Sequence, residues 1–274
     1  MRKHLATAGI ALLFATGLSI LLYPSVAGYI NSQRQSRVVS QYYYDVENLD
    51  AAVLKEMLAE AHEYNKELRN NPNRFYFTQE QSDEYMRILN PDGSGVMGVL
   101  IINRIDVKLP IYHGTDEKIL QSGTGHFEGS SLPVGGPSTH SVITGHRGLP
   151  SSTLLTDLDR LVVGDVFILH ILNQVLTYEI DQILVVEPEE LKPLAIEVNE
   201  DFCTLITCTP YAINSHRLLL RGRRVDNEGS EIFIPDSEAR AIKPLHAAFV
   251  MTIPVIVVVS VALIFRFKRI RKGG

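Results

Sequence analysis

Seven short runs crowd the part of the chain after Gly95: 96–102, 107–112, 141–144, 166–172, 176–186, 202–207 and 217–223. All are rich in β-branched residues, and Gly, Pro, Asp and Asn punctuate the intervals between them. Seven or eight such runs within roughly 130 residues predict a mainly β domain, a closed or nearly closed barrel of about eight strands. Residues 151–161 read as a short helix in one of the connections.

The region before the barrel has a different texture. From 31 to 70, Leu49, Val53, Met57, Ala61, Tyr64 and Leu68 recur at spacings of three and four, with Glu56, Glu60, Glu63 and Lys66 between them, which predicts a helix. Asn70-Asn71-Pro72-Asn73 stops it. An aromatic cluster, Phe75-Tyr76-Phe77, follows Arg74 in a polar setting, and a second short helix is expected over 79–89.

Two apolar stretches flank this core. Residues 5–23 follow Arg2 and Lys3, and no further formal charge occurs until Arg34. The stretch reads either as an uncleaved anchor or as a signal peptide, because Ser25-Val26-Ala27 resembles a cleavage site. Residues 244–265 contain no Asp, Glu, Lys or Arg and precede a basic tail, Arg266, Lys268, Arg269, Arg271 and Lys272. A span needs about 20 apolar residues, so this stretch qualifies. The positive-inside rule then places both termini in the cytoplasm and the region between them outside, with a lipid bilayer as partner. The expected organisation is an N-terminal anchor or signal (1–30), a helical extension (31–95), a barrel (96–225), a linker (226–243), a C-terminal membrane helix (244–265) and a cytoplasmic tail (266–274). The net charge of −5, with no block of like charge in mid-chain, argues against a nucleic-acid partner.

The two cysteines are Cys203 and Cys208. On one extended strand their Cα atoms would lie roughly 16 Å apart, beyond disulfide reach. Cys203 shares a face with Leu205 and reads as a small core hydrophobe. Cys208 ends its strand beside Thr209-Pro210, which places a thiol at a loop. If 210–216 forms that loop, the next strand begins near Arg217, and antiparallel pairing sets Arg217 beside Cys208. A guanidinium there can favour a thiolate and stabilise an acyl oxyanion. His146 follows Val142-Ile143-Thr144 at another strand end, where a histidine can protonate a leaving amine and deprotonate an incoming one. Spacing alone does not select it over His126, His140 or His216. No HxxxH or CxxC pattern suggests a metal, and no cofactor is implied.

Thr204-Leu205-Ile206-Thr207-Cys208, Arg217 nine residues later and Thr144-Gly145-His146 upstream together resemble the signature of the sortase family. The likeness extends over about 98–223. It is strongest to the class C, pilus-assembling sortases, through the segments at 109–115, 125–133, 139–150 and 207–211. The helical extension and the C-terminal span also fit that class. The resemblance implies a β-barrel cysteine transpeptidase. Cys208 would attack the Thr–Gly carbonyl of an LPxTG-like sorting signal, His146 would protonate the departing amine, and Arg217 would hold the oxyanion or position the substrate. Thr207 and Thr209 are further candidates for substrate or oxyanion contacts. A lysine of a second pilin would resolve the thioester as an isopeptide bond.

The Asp-Pro-aromatic lid motif of many class C members is absent here between 70 and 89. Phe75, Tyr76 or Phe77 either covers the site instead or packs the extension onto the barrel. The alternative functions are a housekeeping sortase joining surface proteins to a cell-wall precursor amine, a cysteine protease that releases product to water, and a membrane-tethered binding module without chemistry.

Overall fold

The computed structural model describes residues 2–227, with side chains described from residue 13. The expected C-terminal span, the basic tail and nearly all of the linker lie outside the described residues. Of the described residues, 24–227 belong to one compact unit and those before Pro24 to another. Helix α1 runs Arg2–Glu47. Its apolar part is long enough to cross a membrane by length and composition.

The helix expected over 31–70 is two helices. α1 ends at Glu47, Asn48-Leu49-Asp50 breaks the chain, and α2 resumes at Ala51–Arg69. The periodicity continues across the break because both helices turn an apolar stripe to the same core. Val39, Tyr42 and Val46 of α1 and Leu54 and Ala61 of α2 join the barrel's main hydrophobic cluster. Polar clamps fix the docking. The Tyr42 hydroxyl donates to the Met97 carbonyl (3.0 Å) and accepts from the Leu172 N–H (2.7 Å). Asn65 donates to the Leu132 carbonyl at 3.0 Å and accepts its N–H at 2.7 Å, as a neighbouring strand would. α3, Gln79–Arg87, begins with a reciprocal Thr78–Gln81 capping box. It docks through Tyr85, whose hydroxyl accepts the Gly114 N–H at 2.9 Å.

Eight strands close the barrel: β1 (Val96–Ile102), β2 (Val107–His113), β3 (Thr124–His126), β4 (Thr139–Thr144), β5 (Val166–Ile171), β6 (Gln174–Val186), β7 (Asp201–Thr209) and β8 (His216–Val225). Their order around the barrel is β1-β2-β3-β4-β7-β8-β6-β5, and β5 pairs with β1 to complete the circuit. The β2–β3 and β4–β7 pairs are parallel. β3 was not among the seven runs seen in the sequence. A six-residue helix, α4 (Glu117–Ser122), leads into it.

The strand alternation sorts side chains between two environments. Cys203, Leu205 and Thr207 of β7 are buried, as are Leu218 and Leu220 of β8. At Gly222 a Cβ would come within 2.6 Å of Phe167, so glycine is what lets the stacked Phe167 and Tyr178 rings lie against β8. The outer face of β4, β7 and β8 carries a second, smaller apolar cluster centred on Val142, Leu194 and Leu219, with Phe127 and Ile206 against it. Residues 151–161 are turns ending in a single 3-10 turn, Leu158–Arg160, rather than the expected helix. Leu154, Leu155, Leu158 and Leu161 are buried there, so the apolar spacing that suggested a helix anchors an irregular loop.

Candidate active site

Cys208 and Arg217 are register partners across the antiparallel β7–β8 pair. Eight residues separate the two in sequence, and the turn between them returns the chain beside its own strand end. Facing residues in such a pair have Cα atoms about 5 Å apart. Cys208 is half-buried on the outer face. It follows Ile206 by two residues, so the apolar cluster beneath Ile206 forms a floor leading to the thiol. The Arg217 Nη1 donates to the carbonyls of Asn214 (3.3 Å) and His216 (3.2 Å), which holds the guanidinium against the turn.

His146 reaches the same strand end from the other side. β4 runs parallel to β7, with Thr144 opposite Ile206. Beyond the strand, the Gly145 N–H donates to the Ile206 carbonyl (3.1 Å), and the Thr207 hydroxyl donates to the Gly145 carbonyl (2.9 Å). Extending this register by two places sets His146 level with Cys208. Its Nε2 lies 3.1 Å from Oε2 of Glu117, the first residue of α4.

Thr207 has a different place from the one expected. It points into the barrel at 1% exposure, and its hydroxyl is taken up by Gly145. It ties the histidine loop to the cysteine strand rather than facing the groove. Thr209 is half-buried at the strand end, opposite His216.

Environment separates His126 and His140 from His146, but not His216, whose side chain is 41% exposed with Nε2 3.3 Å from Oε1 of Glu187. His126 is fully buried, with Nε2 2.8 Å from the Ser131 carbonyl and Nδ1 3.0 Å from the Tyr85 hydroxyl. Burial pushes its pKa down to about 3. His140 is also fully buried, with Nδ1 2.8 Å from the Ala195 carbonyl and Nε2 2.7 Å from the Thr204 hydroxyl. Burial pushes it down to about 4. Both are neutral structural groups at pH 7. The Cys203 thiol, buried in the core, is pushed well above its ordinary value by the same desolvation.

Arg147 follows His146 in the 139–150 segment and braces the loop that carries it. Its side chain is 8% exposed and pairs with Asp159, and its guanidinium sits 5.7 Å from the centre of the Tyr211 ring. Tyr211 in turn packs on Gly148, where φ is +75° and a Cβ would come within 2.9 Å of the ring. The histidine loop and the cysteine loop are thereby packed against each other.

Phe75 stacks at a tilt on Phe127, with ring centres 5.6 Å apart, and the Arg74 guanidinium lies 4.5 Å from the Phe75 ring centre. Arg74 also donates to the carbonyls of Gly129 (3.0 Å) and Leu194 (2.8 Å). The Phe127 N–H bonds to Val142, which is level with Thr204. That level lies four residues, roughly 13 Å of strand, before Cys208. Tyr76 is 81% exposed and Phe77 half-buried. In this arrangement Phe75 packs the extension onto the barrel. Among the described residues no cluster of His, Cys, Asp or Glu is arranged to hold a metal ion.

Comparison with known proteins agrees with this geometry. The sortase domain family matches residues 100–225. Sortase C1 from Streptococcus agalactiae is 48% identical, with a TM-score of 0.68 over 70% of this chain and 99% of that one. A Streptococcus pneumoniae sortase C is 44% identical, with a TM-score of 0.62 over 69% of this chain and 97% of that one. Clostridium perfringens sortase C, solved with the C-terminal cell wall sorting motif, is 40% identical, with a TM-score of 0.62 over 69% and 98%. Sortase D of Bacillus subtilis (strain 168) is 28% identical over 138 residues, which is 49% of this chain and 67% of that protein. With nearly the whole of three sortase C structures matched at 40% identity or more, the chain belongs to the sortase family of cysteine transpeptidases, on its class C side.

Proposed function

We propose that the chain polymerises pilins, with Cys208 as nucleophile, His146 as proton carrier and Arg217 as oxyanion or substrate anchor. The observation that carries this reading is the Cys208–Arg217 register pair, with His146 brought to the same strand end by the Gly145 and Thr207 hydrogen bonds. The Cys208 sulfur attacks the Thr–Gly carbonyl of an LPxTG-like signal. The oxyanion forms beside the Arg217 guanidinium, which stabilises charge that develops only as the bond is made. Collapse breaks the C–N bond, and the imidazolium of His146 gives its proton to the departing glycine amine. A thioester remains on Cys208. A lysine amine of a second pilin then attacks it, gives a proton to the imidazole, and releases the thiolate as the isopeptide bond forms.

The part of the apolar floor nearest Cys208, at Ile206, suits the apolar residues of such a signal. The S. pneumoniae relative is described in terms of pilin substrate specificity, and the C. perfringens relative was solved with a sorting motif. The apolar part of α1 suits a membrane anchor that holds the barrel outside the cell.

The full-length protein in detergent, incubated with a pilin bearing an LPxTG-like tail, tests the choice of amine. Covalent pilin dimers linked through lysine are the expected product. Product that forms only with glycine-type amines would instead assign the chain to wall anchoring, and product released only to water would make it a protease.

A further inference from the structure

The carboxylate on His146 has no part in the chemistry described so far. Glu117 and His146 lie 29 residues apart, yet Oε2 of Glu117 sits 3.1 Å from Nε2 of His146. The other carboxylate oxygen, Oε1, accepts from Nε2 of Gln121 at 2.8 Å, one turn along α4. Both oxygens therefore have side-chain partners.

The element that carries Glu117 is fixed. The N–H groups of Ile119 and Leu120 bond back to the Asp116 carbonyl at 2.9 and 3.0 Å. α4 runs directly into β3, which pairs with β2 on one side and with β4 on the other. β4 ends two residues before His146. Carboxylate and imidazole thus grow from adjacent elements of one ladder. Hydrogen bonds to Gln121, and then to His146, keep the Glu117 carboxyl below the usual carboxylate range, so it is ionised at pH 7.

An ionised carboxylate can only accept a hydrogen bond. The facing Nε2 must therefore carry its proton in both charge states of the imidazole. Only Nδ1 is left to gain and lose a proton. Histidines in catalytic sites commonly have one ring nitrogen fixed by a partner so that the other is presented in the correct tautomer.

We propose that Glu117 is the positioning residue for His146: by holding Nε2 it makes Nδ1 the nitrogen that delivers a proton to the departing glycine amine and takes one from the incoming lysine. This rests on the assignment of His146 as proton carrier. The Glu117 side chain is 65% exposed, so the pair adds little to fold stability. Its contribution is one of geometry and tautomer at the reacting end.

The test compares two substrates of the full-length enzyme in detergent. One is a fluorogenic LPxTG-type peptide, whose amine leaving group needs a proton. The other is an LPxT aryl ester, whose phenolate leaving group does not. For Glu117→Ala, the single-turnover acylation rate on the amide should fall by about tenfold at nearly unchanged KM, a share of the typical general-acid contribution, while the first-turnover release of phenol from the ester, which precedes deacylation, stays at the wild-type rate. Glu117→Gln, whose amide oxygen still accepts from Nε2, should recover most of the amide rate. Equal losses on both substrates in Glu117→Ala would mark a merely structural role and overturn the proposal. Wild-type rates on both would also overturn it. His146→Ala, run in parallel, keeps the two levels apart. If that variant retains amide turnover, the proton-carrier assignment fails and the proposal falls with it. If it loses amide turnover while Glu117→Ala does not, the Glu117 inference alone is wrong.

Discussion

His140 and His146 stand on the same face of one strand line, at opposite ends of β4. His140 is fully buried, and both its nitrogens are occupied, by a backbone carbonyl and a threonine hydroxyl. His146 lies just past the strand, with 23% of its side chain exposed and a charged carboxylate on one nitrogen. Six residues thus separate a ring that holds the barrel together from one placed to move protons. The strand contributes the same geometry to both. What differs is whether the chain around the ring closes over it, and it fails to close only at the end where Cys208 and Arg217 meet.

Substitution should break this comparison in opposite directions. His146→Ala is expected to cut amide turnover by about 100-fold or more, with little change in melting temperature. His140→Ala should do the reverse. It leaves the Thr204 hydroxyl and the Ala195 carbonyl without their partner and opens a cavity, costing about 2–4 kcal/mol of stability. Turnover per folded molecule should change little. A large activity loss in His140→Ala with full stability would erase the distinction.

Acid sharpens the contrast. The folded-state values of His140 and His126 lie below the ordinary histidine value, at about 4 and about 3. Between those values and roughly 6.5 the unfolded chain binds more protons than the folded one. Stability therefore holds above about pH 6.5 and declines as the pH falls through this window. Thermal melts from pH 7 to pH 4 should show the decline, and replacing His140 with a residue that does not titrate should flatten its upper part.

The smallest effect is expected at Phe75. Because it packs on Phe127, away from the level of Cys208, Phe75→Ala should cost about 1 kcal/mol and leave turnover within about twofold. A marked rise in peptide hydrolysis would instead show that the aromatic segment covers the site.

Much of this molecule was legible before folding was considered. The runs in the sequence correspond to seven of the strands, because their apolar content answers to burial on one or both faces. The Cys208–Arg217 pairing followed from counting a strand, a loop and a strand. β3 escaped because Thr124-Gly125-His126 is short and carries polar side chains. Its burial comes from partners, Pro110 and Tyr85 among them, that are remote in sequence. The leucines of 151–161 looked helical because a buried loop and a helix both recur in apolar residues. Glu117 gave no signal at all, since nothing local relates the start of a six-residue helix to a histidine 29 residues on. Thr207 shows the opposite limit: the resemblance marks the residue, but only the strand's parity reveals that its hydroxyl faces inward.

The central claim is that the outward cysteine of β7, and not the inward one, carries the acyl group. Intact-mass spectrometry of the full-length enzyme with an LPxTG-tailed pilin, run on wild type, Cys203→Ala and Cys208→Ala, tests it most directly. A thioester adduct in wild type and Cys203→Ala, absent from Cys208→Ala and chased into lysine-linked pilin dimers, is the predicted result. An adduct that persists in Cys208→Ala, or none in any of the three, would contradict it.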